Sequence, residues 1–107
     1  LITREQHIQN IEAFFAECVA TARRKNQDYC GAGPDADPFK NFRLVERLGI
    51  TTTAKGILVR MCDKMARISS LIDGADAAVK DESIEDTLHD VANYAAILVS
   101  LKKEAKQ

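Results

Sequence analysis

The sequence predicts an all-α protein, a compact helical bundle of three main helices plus one short helix, forming a single domain over residues 1–107. Three observations lead there. Residues 81–101 carry Ile84, Leu88, Val91, Ala95 and Leu98 at helical spacing. Two earlier stretches show the same period, and no stretch alternates as a strand would. The longest helical patterns open on capping signals, Thr3 with Gln6 and Ser83 with Asp86.

The first helix is expected over residues 4–29, with Ile8, Ile11, Phe15, Cys18, Val19 and Ala22 on one face and Tyr29 on its extension. Lys25 and Asp28 have the spacing of a surface ion pair. Residues 30–38 form a loop, because Gly31 and Gly33 permit unusual backbone angles and Pro34 and Pro38 disfavour helix before them. The glycine spacing there fits neither a Walker sequence nor a dinucleotide fingerprint.

Pro38 is suited to start a short second helix, and Gly49 to stop it. Phe39 and Phe42 read as core or subunit-interface residues rather than stacking platforms. Threonines 51–53 offer caps for a third helix over residues 53–73, whose core face is Ile57, Met61, Met65, Ile68 and Ile72. Arg60, Asp63, Lys64 and Arg67 line one margin of it. Spacing supports two readings: a solvated ladder pairing Asp63 with Arg60 and Arg67, or cations gripping phosphate beside a metal-binding Asp63.

The last helix has hardly any hydrophilic face from Val91 to Val99, so protein should surround it, its own or a partner copy's. Asp90 and Asn93 then fall at a core edge, where a carboxylate needs a cation or donors. A homo-oligomer would complete the bundle.

With 46% hydrophobic and 29% charged residues and a net charge of −1, composition is that of an ordinary globular domain. It offers no broad nucleic-acid-binding or membrane-binding surface. No apolar run reaches the length of a membrane span and no secretory signal is evident. The cysteines Cys18, Cys30 and Cys62 form no CxxC pair; Cys18 and Cys62 read as small buried residues, and a reducing cytoplasm fits. His7 and His89 lack zinc-site spacing and read as helix-surface residues.

Four blocks carry a family resemblance. They are Lys25-Asn26-Gln27-Asp28-Tyr29, then Asp37-Pro38-Phe39-Lys40-Asn41-Phe42-Arg43, then Arg60-Met61-Cys62-Asp63-Lys64-Met65-Ala66-Arg67. The last runs through Val79-Lys80-Asp81-Glu82-Ser83-Ile84-Glu85-Asp86 to Thr87-Leu88-His89-Asp90-Val91-Ala92-Asn93-Tyr94. In order and spacing they resemble the phage-type nucleotide modification associated domain family, near the all-α MazG-like nucleotide pyrophosphohydrolases. The resemblance implies a nucleotide bound between helices of neighbouring subunits. In catalytic relatives it also implies Mg²⁺ held by ExxE and ExxD pairs, since one-turn spacing aims two oxygens at one hard cation. This chain departs from that pattern, with Arg60 where the first acid stands and Thr87 before Asp90 in the second pair. Glu82 with Glu85 matches ExxE, but at a helix start, where acids favour the dipole.

Three functions compete. As a Mg²⁺-dependent nucleoside triphosphate pyrophosphohydrolase, the protein would hold metal with Asp63, Asp86 and Asp90 and orient water with Glu82 or Glu85. Lys25, Arg60, Lys64 and Arg67 would neutralise phosphate, Asn41 and Asn93 would read base or sugar, and Tyr29 would join the ligand-binding set. As a non-catalytic sponge, it would sequester a nucleotide-derived messenger, a cyclic nucleotide or a relative, in an anti-defence role in the host cytoplasm. Arg60 in place of an acid favours retention of an anion over binding of a metal. The third function is a helical assembly module without a ligand.

Overall fold

The computed structural model describes residues 1–74, 78 and 83–107. Among these it contains four helices and no strand: α1 (Arg4–Cys30), α2 (Lys40–Arg47), α3 (Thr53–Ile72) and α4 (Ile84–Glu104). No described helix is long and apolar enough to cross a membrane.

Local chemistry sets the helix ends. Thr3 and Gln6 form both halves of a capping box on α1, and Ser83 and Asp86 do the same on α4. Thr52 caps α3 by accepting from the Lys55 N–H. Caps of this kind stabilise a helix by about 1 kcal/mol each. Gly31, at φ 97°, turns the chain out of α1 while its N–H still reaches Gln27 O. Pro38 is not the first residue of α2. Asp37 makes a turn before the helix, its carboxylate accepting the Phe39 N–H at 3.0 Å and its carbonyl the Lys40 N–H. Phe39 is the N-cap residue and Lys40 begins the helix. Residues 81 and 82 of the expected last helix lie outside the described residues.

α4 lies in the middle, packed most closely on α3 and flanked on its other side by α1. α2 bridges α1 and α3, whose backbones stay apart. The expected mutual packing of helices 1, 3 and 4 is therefore replaced by an open arrangement. Its radius of gyration is 15.9 Å, against about 13 Å for a compact domain of this length. Length explains the difference: a 27-residue helix spans about 40 Å, more than its neighbours cover.

Ile57 is fully buried at the centre, with Phe39, Cys18 and Cys30 also enclosed. α2 and α3 approach so closely that a Cβ on Gly56 would lie 2.7 Å from Val45 Cγ2. Much of the expected core is instead open: Ile8, Ile11, Phe15 and Val19 on α1, and Met65 and Ile72 on α3, are exposed. Cys62, expected to be buried, is exposed. His89, expected at the surface, is buried with its ring 4.5 Å from that of Phe14. Periodicity placed these residues on faces, but neighbouring helices decide which faces are covered.

Candidate functional site

A cavity of about 140 Å³ opens where all four helices meet. Two helix faces form its walls. Ala22, Lys25, Asn26 and Tyr29 come from α1, and Asp90, Asn93, Tyr94 and Ile97 from α4. Both sets follow the i, i+3, i+4, i+7 spacing that puts side chains on one helix face. Asn41 and Phe42 enter from the first turn of α2, and Arg60 from α3.

Among the described residues, the only carboxylate on the cavity wall is Asp90, and it is already engaged. Its Oδ1 lies 3.1 Å from Lys25 Nζ and its Oδ2 lies 3.2 Å from Lys64 Nζ. Arg60 sits with its guanidinium carbon 4.9 Å from the centroid of the Phe42 ring. This cation–π geometry holds a long side chain over an aromatic face while leaving its N–H groups free for an anion. Phe42 in turn meets Tyr94 edge to face, with centroids 6.4 Å apart.

Amides complete the lining. Asn26 Nδ2 donates to Pro38 O at 2.9 Å. The Cys30 thiol lies 3.5 Å from the same carbonyl and 3.6 Å from Asn41 Oδ1. Behind this wall, Arg43 holds α2 in place. It reaches Asp37 at 2.8 Å and Glu104 at 2.7 Å, above the Phe39 ring. The hydrogen bond from Arg43 holds the Asp37 carboxyl below its usual range, with the Phe39 N–H adding to the effect.

Of the residues expected at a site, Lys25, Tyr29, Asn41, Arg60, Asp90 and Asn93 all line this cavity, and Lys64 joins it through Asp90. Arg67 turns elsewhere and donates from Nε to Thr87 Oγ1 at 3.2 Å. Asp63 and Glu85 are exposed. Asp86 is taken up by the Ser83 cap, whose hydroxyl and N–H keep its carboxyl below the usual range. Glu82 lies outside the described residues. The surface ion pairs that spacing suggested do not form: Lys25 pairs with Asp90 rather than Asp28. Among the described residues Asp63 pairs with neither Arg60 nor Arg67.

Asn26 and Tyr94 were not among the expected site residues, and Phe42 was expected in the core or a subunit interface. The signal for two of them was present, since Asn26 shares the face of Lys25 and Tyr94 that of Asp90. For Phe42 a stacking role was weighed and set second, because a ring on a short helix reads first as core. The described residues do not suit a divalent cation. No three of their His, Cys, Asp or Glu side chains are grouped as ligands, and the one carboxylate on the cavity wall has two lysines as partners.

The arrangement suits a planar, anionic ligand: aromatic faces for stacking, amides for directional hydrogen bonds and a guanidinium for phosphate. No family model, no curated protein and no solved structure matches the chain.

Proposed function

We propose that this protein is a phage-type, MazG-like nucleotide-binding protein that captures a nucleotide or nucleotide-derived anion without cleaving it. The observation carrying this reading is Arg60, stacked on Phe42 at a cavity whose sole acid among the described residues is neutralised by lysine. A guanidinium so placed binds phosphate oxygens bidentately and requires no metal to do so. Sequestration of a cyclic nucleotide or related defence messenger is the role that fits such capture. The same reading makes the working unit a homo-oligomer in the cytoplasm, the host's if the chain is phage-encoded. The exposed apolar stripe of α1, with Phe15 55% accessible, supports the oligomer.

The alternative is Mg²⁺-dependent hydrolysis of a nucleoside triphosphate, with Asp63, Asp86 and Asp90 as ligands. It would require carboxylates to gather where α4 presents one. Incubating the protein with linear and cyclic nucleotides, with and without Mg²⁺, tests both readings. Capture predicts metal-independent binding and intact ligand recovered after denaturation. Released pyrophosphate that depends on Mg²⁺ would establish the hydrolase instead.

A further inference from the structure

The two amides nearest the α1–α2 loop are held in opposite senses. Asn26 lines the cavity and turns its Nδ2 away to the carbonyl of Pro38 at 2.9 Å. A carbonyl only accepts, so this orientation is unambiguous, and Asn26 Oδ1 remains as an acceptor. Asn41 also lines the cavity, but its Oδ1 faces the buried thiol of Cys30 at 3.6 Å. The thiol also lies 3.5 Å from Pro38 O, so it faces both oxygens at once. The Asn41 NH₂ is then the end left to the cavity.

We infer that Asn26 and Asn41 form a fixed acceptor-and-donor pair that reads the edge of a nucleobase, with Cys30 as the residue that sets the sense of Asn41. This rests on the proposed nucleotide reading and adds to it the part of the ligand that gives selectivity. Every nucleobase carries a neighbouring donor and acceptor on its pairing edge, whereas a sugar phosphate offers no such planar pair. Phe42 and Tyr94 supply rings for the base face, and Arg60, over one face of Phe42, supplies the cation for a phosphate. Cys30 does not touch ligand in this scheme. It is a positioning residue, acting through Asn41.

Calorimetric titration of the full chain with the four ribonucleoside 5′-monophosphates and with ribose 5-phosphate, without divalent metal, tests the inference. The monophosphates should bind at least about tenfold tighter than ribose 5-phosphate, from stacking and edge contacts together. Asn41→Asp keeps the acceptor that faces Cys30 but replaces the donor by a second acceptor. Guanine alone presents two adjacent donors, so this variant should move the ratio of guanosine to adenosine monophosphate affinity towards guanosine by about tenfold. Cys30→Ser should retain the parental order of preference, and Cys30→Ala should compress it. Should Cys30→Ala fail to fold, the ratio measured on Asn41→Asp decides alone. Equal affinity for ribose 5-phosphate and the monophosphates, or an unchanged ratio in Asn41→Asp, overturns base reading while leaving a phosphate site standing. Absence of binding by every probe overturns this inference, while binding of the cyclic nucleotides in the panel above decides the nucleotide reading separately.

Discussion

Lys25 Nζ stands 3.1 Å from Asp90 Oδ1, joining the first helix to the last at the wall of the cavity. Lys64 takes the other oxygen at 3.2 Å, so one carboxylate gathers two cations from different helices. An acid in that position gathers positive charge, and it would also repel an anion that entered the cavity.

The sign of the Asp90→Asn effect follows from this. If the protein captures an anion, removing one negative charge at about 8 Å strengthens binding by about 1 kcal/mol, or roughly fivefold. If Asp90 holds a catalytic metal, the same substitution abolishes Mg²⁺-dependent turnover. Titration and a pyrophosphate assay on one preparation separate the outcomes, with circular dichroism confirming unchanged helix content.

Arg60 is exposed and stacks on Phe42, so its replacement leaves the fold largely intact. Arg60→Glu should weaken nucleotide binding by more than about tenfold, through loss of a charge-assisted phosphate contact and introduction of repulsion. Phe42→Leu should give a smaller loss, removing the stacking surface while preserving the cation. Identical affinities in parent and Arg60→Glu would remove the phosphate site from α3.

Gly56 lets α2 and α3 meet, and a methyl group there would collide with Val45. Gly56→Ala should therefore destabilise the protein by about 1–3 kcal/mol, despite the better helix propensity of alanine. Val45→Ala in the same chain should recover part of the loss, a coupling that thermal melts of the two single variants and the double variant would measure. Additive effects would show that the two helices separate freely.

Phe15, Ile8, Ile11 and Val19 leave an apolar stripe open along α1. Light scattering at micromolar concentration should give a dimer or larger species, and Phe15→Glu should shift it towards monomer. A well-folded parental monomer would count against the oligomer and any pocket completed by it.

The Arg43 clamp has a pH signature. Its hydrogen bond lowers the Asp37 carboxyl pKa in the folded state. The stabilisation is therefore complete above the unfolded value of about 4 and is lost as pH falls through the depressed folded value. Arg43 itself, pushed upward by Asp37 and Glu104, stays charged throughout. Asp37→Asn should lower Tm by a few degrees at pH 7, consistent with about 0.5–1 kcal/mol for a partly exposed pair. The difference between the two proteins should close as pH falls through the depressed folded value of Asp37.

The sequence by itself determined the helices and most of their ends, the start of α2 excepted. Thr3 with Gln6, Ser83 with Asp86, and Gly31 act through hydrogen bonds spanning three or four residues, which local spacing records. It also placed Asp90 and Asn93 at the cavity, because a polar start to an otherwise apolar stripe marks a core edge needing partners, whereas Lys25, Tyr29, Asn41 and Arg60 were expected there from the family resemblance. Only the tertiary structure decided which partners these are. Lys25 had a plausible neighbour in Asp28 and found Asp90 across the interface instead, while Arg60 left the ladder on its own helix for the ring of Phe42. It likewise decided that Asp86 serves a cap and that the face of Phe15 stays open. A helical period specifies the direction of a side chain from its axis, but the atoms it meets depend on how that axis lies against the others.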